Sequence, residues 1–192
     1  MTTTRLEAFT DAVIAIILTI MVLEIHAPHT ADLRALCEQY PTFLSYILSF
    51  IFLGIYWNNH HHMLHSVKHV SGAVLWANLH LLFWLSLVPF VTSWMGETHF
   101  SNAAVFAYGV ILLCSAIAYF ILTLCLIRAN GKDSAVAAAL GSDFKGKVSI
   151  VIYSVGLAAA FWQPLVSGLA YVSVALIWLI PDRRFEHHHV QK

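Results

Sequence analysis

The chain has 192 residues and a formal net charge of zero at neutral pH, from ten basic and ten acidic side chains. It is 59% hydrophobic and only 10% charged, with a mean hydropathy of +0.75, where a soluble domain carries about a quarter charged residues. That balance excludes an ordinary soluble protein, offers no basic surface for nucleic acid, and describes a small all-α integral membrane protein whose first partner is the lipid bilayer.

Five apolar blocks follow one another. The first, 6–25, opens behind Arg5, carries Glu7 and Asp11 near its start, and ends on Glu24. Asp11 interrupts it and no small-x-small cleavage site follows, so it reads as a retained span and not a signal peptide. The second, 41–63, begins "PTFLSYILSFIFLGIYWNN" and the third, 70–95, is centred on "LHLLFWLSLVPFVTSW". The fourth, 102–127, is apolar throughout. The fifth lies between Lys147 and Asp182, 34 residues without a charge. As one helix it would reach roughly 50 Å, against a hydrocarbon core of about 30 Å. "WQPLVSG" (162–168) sits in its middle, where Pro164 lacks an amide donor and Gly168 is permissive. The interval therefore divides into spans at 145–162 and 164–180, which makes six transmembrane helices in one domain, 1–186, followed by a polar tail, 187–192.

Charge supports six. Arg5, Lys68, Arg128, Lys132, Lys145, Lys147, Arg183, Arg184 and Lys192 then share one side, and Arg34 is alone on the other. This asymmetry puts both termini in the cytoplasm. The three cysteines, Cys37, Cys114 and Cys125, are widely spaced and form no disulfide framework or CxxC motif.

On a helical projection of the first block, Ala12, Ile16, Thr19, Ile20 and Leu23 fall on one stripe, and Asp11 points about 120° from its centre. Such a stripe is ordinarily lipid contact or core packing. Asp11 needs partners, because an unpaired carboxylate in a membrane segment is costly. Arg5 lies on another face, so the partners should come from other helices: Asn58, Asn59, His60 and His61 in the second block, Asn78 and His80 in the third. The result is either a structural hydrogen-bond network or a proton relay.

"YWNNHHHMLHSVKH" (56–69) places His61 and His65, and His65 and His69, at i, i+4. With no acidic or cysteine ligand adjacent in sequence, a native metal site is not expected; the pair His61 and His65 reads at most as a weak inhibitory site. P-loop, HExxH, GxSxG and paired-carboxylate motifs are missing, so neither an enzyme nor a cofactor is expected. "YSVGLA" (153–158) lies inside a span and does not read as a carbonyl selectivity filter.

"RLEAFTD" (5–11) resembles the RxxxFSD motif that opens the first helix of the transmembrane protein 175 potassium channels in their single-repeat prokaryotic form. The matching residues are Arg5, Phe9, Thr10 and Asp11, with threonine in place of serine. "FLGIYWNNHH" resembles the family's Trp-x-x-His-His, placing Trp57, His60 and His61, and 75–97 resembles its third helix, with Asn78, Pro89 and Phe90. The resemblance implies a homotetramer in a prokaryotic plasma membrane, with four first helices lining a central pore. It implies a K⁺-selective leak channel, weakly selective over Na⁺, in which Ile16, Ile20 and Leu23 form a hydrophobic constriction and Thr19 contributes to selectivity. Permeant K⁺ and other monovalent cations are its implied ligands. Arg5 and Asp11 are implied to hold the helix through His60 or His61 and Asn78, with Phe9, Thr10 and Trp57 in the same region. The competing reading is a proton-coupled secondary transporter using Asp11 and the membrane-edge histidines; a third is a non-transporting membrane adaptor or metal-responsive protein.

Overall fold

The computed structural model describes residues 2–28, 31–140 and 144–179. Among these residues there are nine helices and no strand. The first, α1 (Thr3–Leu23), starts where Thr2 turns extended and its hydroxyl accepts the Arg5 amide N–H. A short α2 (Leu33–Glu38), capped by Asp32, leads into α3 (Tyr40–His65), which has Pro41 in its first turn, where no amide donor is needed. Next come α4 (Gly72–Ser86) and α5 (Val88–Glu97). The long α6 (Asn102–Asn130) ends at Gly131, whose φ of 93° only glycine adopts readily. A short α7 (Ala135–Leu140) precedes α8 (Phe144–Ala159) and α9 (Pro164–Leu179).

Two details differ from the sequence reading. The 70–95 block is not one straight helix: Pro89 cannot donate to the carbonyl four residues back, and the ladder breaks at Leu87 between α4 and α5. In the last apolar interval the chain turns at 160–163, with Pro164 opening α9, while Gly168 lies within α9 and not in the turn. Arg183, Arg184 and the 187–192 tail lie outside the described residues.

Four helical stretches are long and apolar enough to cross a bilayer: Thr3–Leu23, Tyr40–His65, Gly72–Glu97 across the α4–α5 break, and Asn102–Asn130. Pro164–Leu179 is apolar but shorter. The protein is a multi-pass membrane protein. In the bundle α1 packs on α3, α4 and α5, while α6 packs on α4, α5 and α8. The α8–α9 hairpin closes the far side, pinned by Ser167 Oγ donating to the Gly156 carbonyl at 2.7 Å.

Small residues set the helix spacing, as lipid-embedded packing requires. At Gly96 of α5 a Cβ would stand 2.7 Å from the Thr42 Cα and 2.9 Å from Ser45 Oγ of α3. At Gly168 of α9 it would meet nothing within 4 Å. Gly96→Ala should therefore destabilise the folded protein by about 1–3 kcal/mol through overpacking against backbone. Gly168→Ala should leave it unchanged or gain about 0.5–1 kcal/mol of helix propensity. Thermal unfolding of the two purified variants checks the contrast, and equal melting temperatures would refute it.

Candidate functional site

The two long faces of α1 have different surroundings. Leu6, Thr10, Ile14, Ile17 and Met21 recur at three- and four-residue steps and are buried against α3, α4 and α5. On the opposite face, the stripe anticipated from the sequence is uncovered. Ile16 is 57% exposed, Ile20 41% and Leu23 75%, and Ala12 and Thr19 are exposed beside them. The stripe is not part of the core of the single chain. Thr19 Oγ donates to the Ile16 carbonyl at 2.8 Å, so its proton is committed to its own helix and its lone pairs remain outward.

The buried face carries a polar chain through three helices. Asn78 of α4 donates its Nδ2–H to Thr10 Oγ1 of α1 at 2.9 Å and faces His60 Nε2 of α3 with its Oδ1 at 2.8 Å. Thr10, His60 and Asn78 are all within 1% of complete burial. With the amide oriented this way, the His60 proton sits on Nε2. The reversed amide would put it on Nδ1, a buried atom with no hydrogen-bond partner among the described residues.

A second, more exposed chain runs beside it. Trp57 Nε1–H donates to Asp11 Oδ1 at 3.0 Å. The Trp57 ring stacks on His61, with centroids 6.2 Å apart. His61 Nδ1 lies 2.7 Å from Glu7 Oε1, and His65 Nε2 lies 3.9 Å from the same oxygen.

Most of the anticipated residues meet here, with different pairings. Asp11 is held by Trp57 and not by His60 or His61. The two histidines of the motif separate, His60 joining Asn78 and Thr10 while His61 joins Glu7. Arg5 is exposed, and its side chain makes no hydrogen bond or ion pair among the described residues, so the expected bridge from Arg5 is not made within one chain. Phe9 is exposed on α1. Of the other candidates, Asn59 turns back to the Ile55 carbonyl and His80 accepts from Trp84. No acidic residue adjoins the histidine run in sequence, but the fold brings Glu7 of α1 against it. Its spacing carried the signal: Glu7, Thr10 and Asp11 are i, i+3 and i+4 on one helix face. Glu97 also went unremarked. It lines an open groove between α1 and α5 with Glu24, Ile16 and Ile20, and accepts from Ser93 at 3.2 Å.

A multi-pass helical membrane protein with one helix anchored on one face by a buried polar chain and uncovered on the other is the class that fold and site define. The family described as endosomal/lysosomal potassium channel TMEM175 matches at residues 5–89, which include every member of both chains. The sequence is 53% identical over 186 residues to a potassium channel of Chryseobacterium sp. (strain P1-3), covering 97% of each. It is 31% identical over 181 residues to a potassium channel of Streptomyces collinus, covering 90% of this chain and 84% of the other. Its fold is similar, at a TM-score of 0.82 and 26% identity, to the crystal structure of a lysosomal potassium-selective channel TMEM175 homolog from Chamaesiphon minutus, over 92% of this chain and 96% of that one. The chain belongs to the TMEM175 family.

Thr10→Val should leave the Asn78 amide N–H buried without an acceptor and cost about 1–3 kcal/mol, whereas Thr10→Ser keeps the oxygen and should cost less than half as much. Thermal unfolding of the purified variants measures both, and equal losses would show that the methyl, not the hydroxyl, matters at this position.

Proposed function

We propose that the protein is a potassium channel: a homotetramer in which four α1 helices surround a central pore, each subunit crossing the membrane six times. The uncovered α1 stripe carries this reading. Ile16, Ile20 and Leu23 are exposed on a helix whose other face is fixed by buried hydrogen bonds. Lipid alone would accept such a stripe. A ring of four explains in addition why this helix is anchored in its rotation by buried polar groups. The relatives named above as potassium channels support the same reading.

In this arrangement Ile16, Ile20 and Leu23 form a neck about 10 Å long at about 1.5 Å rise per residue. At its isoleucine and leucine rings an ion sheds water and meets no replacing oxygen, so the neck gates by wetting and drying. Thr19, with its proton on the Ile16 carbonyl, presents oxygen lone pairs partway along. Four neutral oxygens favour the less strongly hydrated K⁺ over Na⁺ to a modest degree. Glu24 and Glu97 share the groove at the far end of α1 and would enrich cations at that mouth.

The α8 and α9 helices are the fifth and sixth crossings, and the spans form one channel domain, 1–186, with 187–192 as a tail. The distribution of lysine and arginine supports a topology with both termini on the cytoplasmic side of a prokaryotic plasma membrane. A relay through Asp11 is less well supported, because Asp11 is engaged by the Trp57 indole and His60 by Asn78, in separate chains.

The test is K⁺ and Na⁺ flux into liposomes holding the purified protein, with Ile16→Asn beside the wild type. K⁺ flux exceeding Na⁺ flux, and rising severalfold in the variant, is expected, since an amide at Ile16 supplies the oxygen and wetting that the neck withholds. No flux from either protein, with intact tetramers confirmed by crosslinking, would overturn the channel reading.

A further inference from the structure

Where α1 begins and α3 ends, three side chains with lone pairs converge on one point. Glu7 Oε1, an imidazole nitrogen of His61 and one of His65 all lie within 4.8 Å of one another. We propose that Glu7, His61 and His65 form a transition-metal site suited to Zn²⁺, which clamps the start of α1 to the end of α3.

The donor set is the first support. Two imidazoles and a carboxylate suit Zn²⁺, whereas Mg²⁺ and Ca²⁺ require oxygen ligands throughout. The two histidines are i, i+4 on α3, and the carboxylate comes from another helix, so a bound ion would crosslink secondary structure and not merely decorate one helix.

The distances are the second support. In a tetrahedral site with metal–ligand bonds of about 2.0–2.1 Å, neighbouring ligand atoms stand about 3.3 Å apart. Glu7 Oε1 is 2.7 Å from His61 Nδ1 and 3.9 Å from His65 Nε2, so the two separations bracket that value. Shifts smaller than an ångström at each side chain would seat the ion. A plain Glu7–His61 hydrogen bond accounts for the first distance but not for the placement of His65. The His65 ring stands edge-on to His61 with centroids 4.4 Å apart, and its nitrogen is turned to the same carboxylate beyond hydrogen-bonding range.

Access is the third support. Side-chain exposure rises from 20% at Glu7 to 37% at His61 and 52% at His65. The cluster opens on one side, which gives the ion an entrance and leaves a fourth coordination position for water. His62 meets only the edge of the His61 ring, at 5.6 Å, and lies outside the ligand set. The site adds a ligand to the weak His61–His65 pair read from sequence, and it ties α1 one turn ahead of Asp11. As a metal site it does not rest on the channel reading.

Calorimetric titration of Zn²⁺ into the purified full-length protein in nanodiscs tests this, with thermal unfolding alongside. The wild type should show one saturable site per chain and a melting temperature that rises with Zn²⁺. Loss of an outer-shell partner alone typically weakens a metal site 10–100-fold. Loss of a ligand by Glu7→Gln or His65→Ala should therefore weaken binding roughly tenfold or more and abolish the thermal gain, and His62→Ala should change neither. The other histidines, including those at 187–189, are common to all the proteins and cancel in the comparison. If Glu7→Gln fails to fold, His65→Ala, at an exposed helix end, carries the test alone. Equal affinity in wild type and His65→Ala, or no saturable binding in the wild type, would overturn the proposal. Neither result depends on ion flux, so failure here and failure of the channel reading are distinguishable.

Discussion

The amide of Asn78 is the constraint on which the rest of α1's placement depends. One planar group donates to Thr10 on α1 and accepts from His60 on α3. Three helices thus meet at a single side chain buried almost completely, together with both its partners, away from bulk solvent. Apolar packing tolerates small rotations of a helix, because one methyl can substitute for another against a neighbour. A buried amide does not, since its donor and acceptor each have one correct position. The network therefore fixes rotation, which Leu6, Ile14, Ile17 and Met21 alone would leave loosely defined.

The surrounding bundle provides a stiff frame. The α4–α5 break at Leu87 leaves α1 packed on both pieces, with Asn78 on the first. Gly96 brings α5 close to α3, and Ser49, buried in α3, bonds Thr92 of α5 at 2.6 Å and Tyr108 of α6 at 2.9 Å. Pro89 has two roles. It ends α4, and it is held with Phe90 on the groove wall facing Ile16 and Ile20.

How much of this was legible in the sequence follows the range of the interactions. Hydropathy and charge marked the apolar blocks, and the excess length of the uncharged interval marked the turn before Pro164. Helical phase separated Ile16, Thr19, Ile20 and Leu23 from Asp11, because that separation is set within one helix. The partners were less legible. Whether Asp11 meets Trp57 or His61 depends on the relative height and rotation of α1 and α3, which no single-helix periodicity encodes. The same ambiguity covered His60, His61 and His62, three neighbours about 100° apart on one helix. Glu7 was given no partner because its partners are more than fifty positions away, although its phase with Thr10 and Asp11 already put it on the packed face. The break at Leu87 was visible as Pro89, but an apolar run of full spanning length masked it.

The positions of anchor and stripe along α1 have a mechanical consequence in the channel proposed above. Thr10 and Ile16 are six residues apart, about 9 Å along the axis at about 1.5 Å per residue. The hydrogen bonds to Thr10 and Asp11 therefore hold one end of the helix, while the proposed neck lies on a part of α1 that makes no hydrogen bond to another helix among the described residues. Side chains reach about 5 Å from the helix axis, so a rotation of about 20° would carry each stripe residue nearly 2 Å sideways. That displacement is large beside the radius of a dry neck. A helix fixed in this way is stable where it is polar and compliant where it is apolar. In the proposed channel the polar anchor would set the resting rotation, and the distant apolar segment would supply the movement by which the neck wets.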